Sequence, residues 1–159
     1  MGGEEAGQPP IAIAVCSETD VEYIARILEE APEAARWSER GVRESLTSTG
    51  STFLLARVRG EVAGFIVGRV IGAEAEILNL AVKRSRRRQR VGQTLAVALL
   101  AGYEEEGIRR VFLEVRESNG AAITFYEGLG FRQVGTRPDY YRNPEEAALI
   151  LARESCSES

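Results

Sequence analysis

EAEILNLAV at 74–82, KRSRRRQR at 83–90 and VGQTLAVALLAGY at 91–103 follow one another without a break. Glu76 to Val82 has the length and aliphatic character of a strand. Val91, Leu95, Leu99, Gly102 and Tyr103 keep helical spacing until Gly107, a natural stop. Where a strand ends just before a helix begins, the first helical turn presents unpaired N–H groups and the positive end of the helix dipole. The turn here holds six basic residues and no acid, so Arg87 through Gly92 are placed to wrap a pyrophosphate. Arg84, Arg86 and Arg88 add longer-range attraction. A solvated basic turn is the competing reading.

Upstream, Thr52 to Val58 and Val62 to Ile71 flank Arg59-Gly60-Glu61, which predicts a β-hairpin. Ile11 to Cys16 is a short strand candidate, and Thr19 with Glu22 fits a capping box for a helix carrying Val21, Ile24 and Leu28 through Glu30. Pro32 interrupts that helix, and Ser38 caps a second one containing Val42 and Leu46. Downstream, Val111 to Val115 predicts a strand, and Ala122, Phe125, Tyr126 and Leu129 line a short helix that Gly130 stops. Phe131 to Val134 and Ala147 to Ala152 supply the last strands, on either side of a polar, tyrosine-containing loop. The order β-α-α-β-β-β-α-β-α-β-β is an α/β arrangement in which a hairpin precedes strand–helix–strand crossovers. Residues 1–10 read as a flexible leader, 11–153 as a single domain and 154–159 as a flexible tail.

The 159 residues suffice for one substantial core and fall short of two ordinary domains. The opening MGGEEAGQPP lacks a basic n-region, and no stretch approaches the roughly 20 apolar residues of a membrane span, so a cytoplasmic protein away from membranes is expected. There is no histidine, and Cys16 and Cys156 are the two cysteines, which removes a Cys/His nucleophilic pair and argues against a metal site. Chemistry then rests on carboxylates, tyrosines, serines, arginines, lysines or the backbone. Net charge is −4, yet the 151 residues outside 83–90 sum to −10. One cationic site on an acidic body suits a polyanionic cofactor and a cationic acceptor, with a small nucleic-acid patch as the alternative.

The 74–82 strand, together with LEVRESNGAAITFYEGLGF at 113–131, YYRNPEEAAL at 140–149 and the weaker APEAARWSE at 31–39, resembles the GCN5-related N-acetyltransferase superfamily. Within it, the sequence is most similar to the bacterial enzymes that acetylate the N-terminal alanine of ribosomal protein S18. The likeness runs over residues 11–152. It implies a mixed central sheet with a splayed cofactor cleft, whose fourth and fifth strands, 76–82 and 111–116, part to admit acetyl-coenzyme A as acyl donor, without a metal. It assigns Leu80, Ala81 and Val82 to the pantetheine, Arg87, Arg88, Gln89, Arg90, Val91, Gly92 and Gln93 to the phosphates, and Asn119 to a pantetheine amide. By the same resemblance Glu114 is the general base and Tyr126, twelve residues later, the general acid. The implied partner is the N-terminus of ribosomal protein S18; another protein or small-molecule amine, or noncatalytic acyl-coenzyme A sensing, are the alternatives.

Two departures stand out. Arg90 occupies the place of the family's first loop glycine, at a cost of about 1 kcal/mol if its backbone must be left-handed. The family's C-terminal acidic pair is shifted, with Glu145-Glu146 followed by Ala147-Ala148.

Each assignment has a plainer counterpart. Glu114 in VFLEVR is either a base tuned by burial or a structural ion pair, burial raising its pKa unless a cation or backbone donors hold it charged. Tyr126 lies on one helix face with Ala122 and Phe125 and reads equally as a core aromatic. Trp37, Tyr140 and Tyr141 form an acceptor slot or anchor surface to core, and Glu76 is a candidate for holding an ammonium or a water. Neither cysteine sits in a nucleophile–base constellation, so direct transfer in a ternary complex is expected.

Overall fold

The computed structural model describes residues 9–31, 34, 37–142 and 145–155. In chain order the elements are β1 (Ile11–Val15), α1 (Val21–Glu29), α2 (Glu39–Thr47), β2 (Ser51–Val58), β3 (Glu61–Ile71), β4 (Glu74–Val82), α3 (Val91–Glu105), β5 (Arg110–Arg116), α4 (Gly120–Gly128), β6 (Arg132–Tyr141) and β7 (Glu146–Glu154). The order matches that read from hydrophobic periodicity.

Local chemistry sets the boundaries. Arg59 and Gly60 join β2 to β3 with φ of 53° and 82°, the positive pair that a two-residue type I′ hairpin turn requires, so the turn is one residue tighter than expected. The Ser38 hydroxyl caps α2 by accepting the Gly41 N–H at 3.0 Å. The capping box ahead of α1 is Ser17 with Asp20 rather than Thr19 with Glu22: the Asp20 carboxylate accepts the Ser17 N–H at 2.9 Å. Asp20 wins because it is buried and held by Arg57 of β2 at 2.7 Å, a partner Glu22 lacks. The expected tyrosine-containing loop is also corrected, since residues 135–141 continue β6 as an irregular edge strand.

The strands form one sheet in the order β1-β2-β3-β4-β5-β7-β6. Every neighbouring pair is antiparallel except β4 and β5, which run parallel. That pairing covers only Glu74↔Arg110, Ala75↔Val111 and Glu76↔Phe112. Beyond it the strands part, leaving the β5-facing edge of Ile77–Val82 without a strand partner. This is the splay expected for a cofactor cleft.

Helices cover both faces. Leu95, Leu99 and Tyr103 of α3 and Tyr126 of α4 pack with Ile66, Ile77, Leu113 and Leu151 on one side; Val21, Ile24 and Ile27 of α1 and Val42 of α2 pack with Leu55, Phe65 and Val67 on the other. Each fully buried aliphatic contributes about 1.5–3 kcal/mol against the entropy of folding. Gly68 is fixed by this packing, because a Cβ there would overlap the hydroxyl of buried Tyr103. In β4, Val67 pairs Asn79 but Gly68 pairs Ile77, so Leu78 is an extra, bulged residue. The bulge switches the alternation: Ala75 and Ile77 face α3 before it, Leu80 and Val82 after it.

Candidate active site

Two walls flank the opening between β4 and β5, a basic loop that would form the cofactor wall and a side-chain cluster that would form the acceptor wall. On the first, β4 runs through a 3-10 turn at Arg84–Arg86 into the N-terminus of α3. Arg88 and Arg90 both adopt left-handed backbone, with φ of 65° and 67°. Arg90, at the N-cap of α3, therefore holds the conformation in which an L-residue replacing glycine costs about 1 kcal/mol. Its strain is accepted while Val91 is driven fully into the core. Arg87 is committed to the loop itself, its guanidinium donating to the Val82 carbonyl at 3.3 Å and the Glu30 carbonyl at 3.1 Å. Glu30 also accepts the Arg84 N–H at 2.9 Å, which stitches the end of α1 to the basic loop. Arg86 and Lys83 each stand 3.9 Å from Glu61, while Arg84, Arg88 and Arg90 are exposed.

These residues fit a coenzyme A pyrophosphate on structural grounds. The first turn of α3, at Val91, Gly92 and Gln93, carries N–H groups that no helical carbonyl can reach. A Cβ on Gly92 would meet Val82 at 3.6 Å and Phe125 at 3.8 Å, ordinary contacts, so packing alone does not demand glycine there and the bare turn is open to an anion. The edge of Leu80, Ala81 and Val82 has no strand partner on the β5 side, and its Val82 carbonyl is taken by Arg87.

Phe125 brings α4 against the same turn. Asn119 caps α4 by accepting the Ala122 N–H at 3.1 Å. Tyr126 is buried between Phe125 and Phe131, with ring centroids 5.0 and 5.4 Å away in edge-on contact. Burial pushes its phenol well above the ordinary tyrosine range, so it stays protonated.

The acceptor wall is built from side chains of β4, β5 and β6 on the α1/α2 face. Val111, Leu113 and Val115 of β5 point into the α3 core, which turns Phe112, Glu114 and Arg116 the other way. The Glu114 side chain is 15% exposed, and its carboxylate pairs with the Arg137 guanidinium at 2.6 Å. Tyr140 donates its phenol hydrogen to Glu114, which together with the carboxylate charge raises the Tyr140 pKa. Glu76 faces Glu114 from β4; burial first and the Glu114 charge second raise its pKa, while Arg69 and Arg137 oppose the shift. The Tyr140 and Tyr141 rings stand edge-on at 5.0 Å, and the Arg116 guanidinium lies 4.3 Å over Tyr141. Glu146 binds Arg116 at 3.1 Å and accepts the Ser118 N–H; a bond from the Ser118 side chain first, then the Ser118 N–H and Arg116, lowers its pKa against the opposing effect of burial. The shifted acidic pair thus still ties β7 to the start of α4.

Glu114, Glu76, Tyr140 and Tyr141 come together; Tyr126 and Asn119 belong to α4 and its cap, and it is Phe125 of that helix that reaches Gly92. Trp37 does not join either group: it packs with the α1/α2 cluster and lines a groove of about 700 Å³ with Glu22, Arg26, Glu29 and Glu39. The Cys16 thiol is buried, with its pKa pushed up to about 12 by burial and by Asp20, and Cys156 lies outside the described residues. Among the described residues no group of His, Cys, Asp or Glu side chains is placed to hold a metal, and no helix is long and apolar enough to cross a membrane. Sequence reading missed Arg137 and Glu30. Arg137 had a signal in the Pro138-Asp139 pair beside it, a turn-like pair inside a strand.

The profile of the acetyltransferase (GNAT) family matches residues 19–131. The [ribosomal protein bS18]-alanine N-acetyltransferase of Escherichia coli K12 is 35% identical over 127 residues, covering 79% of this chain and 85% of that protein. The crystal structure of the Escherichia coli ribosomal-protein-S18-alanine N-acetyltransferase superposes with a TM-score of 0.84 at 29% identity, covering 94% of this chain and 97% of that one. Ard1 from Thermoplasma volcanium gives a TM-score of 0.84 at 31% identity, covering 92% and 99%. With the splayed sheet and basic helix N-terminus already described, the chain belongs to the GNAT family and is an acetyl-coenzyme A-dependent N-acetyltransferase.

Proposed function

We propose that this enzyme acetylates a protein N-terminal amine, that of the N-terminal alanine of ribosomal protein S18, by direct transfer in a ternary complex. What supports the mechanism is that Glu114 stands among charged groups just past the last β4/β5 pair, while Tyr126 lies among apolar rings on α4, the helix whose Phe125 reaches the first turn of α3. Similarity to the bS18-alanine enzymes over most of both chains supports the acceptor.

Acetyl-coenzyme A supplies the thioester. The first turn of α3 at Val91, Gly92 and Gln93, with Arg88, Gln89 and Arg90, would hold its phosphates, and the edge of Leu80, Ala81 and Val82 its pantetheine. Arg87 supports that loop from behind through its bonds to Val82 and Glu30. Glu114 accepts a proton from the acceptor's ammonium, freeing the nitrogen lone pair for attack. Backbone N–H groups of β4 stabilise the developing oxyanion. Burial keeps the Tyr126 phenol protonated, so it has a hydrogen to offer the departing sulfur. Glu76, Tyr140 and Tyr141 orient the ammonium and exclude water.

A mass-resolved acetylation assay tests this against S18-like peptides, other N-termini, lysine peptides and small amines. Preferential transfer to the S18-like alanine is expected. Equal rates on many N-termini would favour a broader N-terminal acetyltransferase.

A further inference from the structure

We propose that Arg137 is a positioning residue for Glu114, delivered to its carboxylate by the β6 bulge. The proposal rests on Glu114 being the base. In a regular strand, residues 137 and 140 would face opposite sides of the sheet. Between Arg137↔Ala148 and Tyr141↔Glu146, however, β6 advances four residues while β7 advances two. Pro138 donates no N–H, and Asp139 takes φ of 55°, so the ladder gives way there. The excess chain turns Arg137 and Tyr140 onto one carboxylate.

That carboxylate needs a cation. Glu76 faces it from β4, and two facing carboxylates disfavour double ionisation. Arg69 on β3 acts on Glu76, β7 sets uncharged Ile150 opposite Glu114, and Tyr140 and Tyr141 of β6 are neutral phenols. Arg116, next on the same face of β5, is turned to Tyr141 and Glu146. Among the described residues, Arg137 is the cation at ion-pair distance from Glu114. Its side chain is 57% exposed against 15% for Glu114, so a guanidinium that stays in contact with water holds a carboxylate that is largely shielded from it.

The test is the pH dependence of kcat at saturating acceptor, which reports groups in the bound complex. It is run on wild type, Arg137→Gln, Arg137→Lys and Glu114→Gln. Removing a cation raises the pKa of a neighbouring carboxylate, so the acid limb of Arg137→Gln should move up by about one pH unit. The loss should be about 10-fold on that limb and markedly smaller on the alkaline plateau, with Arg137→Lys restoring part of the shift. An Arg137→Gln limb at the wild-type position, or a uniform loss at every pH, overturns the proposal. Glu114→Gln separates the two readings: if it retains the wild-type acid limb, the base assignment itself fails. If it abolishes the limb and Arg137→Gln leaves it unmoved, only the role of Arg137 fails.

Discussion

The two walls of the cleft are built in different ways. The cofactor wall is contiguous and made largely of backbone: a strand end, a left-handed loop and a helix N-terminus, all within residues 77–93. The acceptor wall is assembled from side chains on β4, β5 and β6 that span Glu76 to Tyr141, and they meet only through strand register and a bulge. Backbone sites tolerate changes of residue type, as Arg90 does. Side-chain sites do not.

The largest expected effect tests the acceptor wall. Glu114→Gln should lower kcat by about 10²–10⁴-fold, the range of a lost general base, with acetyl-coenzyme A affinity little changed. Raising the pH toward about 8, where an α-amine loses its proton, should partly rescue it. Paired pH–rate profiles and calorimetry are the measurements, and parallel profiles of equal height would remove the base.

Tyr126→Phe is the corresponding test across the cleft. Packing against Phe125 and Phe131 survives, so folding and cofactor affinity should hold while turnover falls roughly 10- to 1000-fold. Wild-type turnover over the whole pH range would show that the phenol serves only the core.

A smaller effect concerns the exposed arginines of the basic loop. An acetyl-coenzyme A analogue lacking the ribose phosphate should bind several-fold more weakly at low salt, and the gap should narrow as ionic strength rises. Calorimetry across a salt series measures it. A gap that does not respond to salt would give that phosphate to the backbone instead.

The smallest effect is on stability, at Glu76. Its folded pKa is raised, so ionisation weakens the fold: the penalty is absent below the folded and unfolded pKa values and appears as pH rises through them. Glu76→Gln should therefore be slightly more stable than wild type at neutral pH and equal to it in acid. Denaturant midpoints at both pH values decide this, and a less stable variant at neutral pH would mean that Arg69 and Arg137 overcompensate the burial.

The same contrast explains what could be read in advance. Strand, turn and helix in 74–103 announce themselves through periodicity and Gly107, because each signal is local. Glu114 and Tyr126 were visible as a carboxylate in an apolar strand and an aromatic on a helix face, but the ion pair of the one with Arg137 and the packing of the other against Phe125 and Phe131 were not. Arg137 was hidden, since its proximity to Glu114 depends on two extra residues in β6 relative to β7, a long-range property. The capping box was misplaced for a similar reason: Asp20 is chosen by Arg57, which lies 37 residues away.

The β6 irregularity has a colloidal side. β6 is an outermost strand, and an uninterrupted edge with exposed Val134 would offer hydrogen-bonding groups to another molecule's strand. Pro138 removes one donor, and the left-handed Asp139 bends the edge and places a charge beside it. A segment that gathers side chains around Glu114 thereby also keeps copies of the protein from zipping together edge to edge.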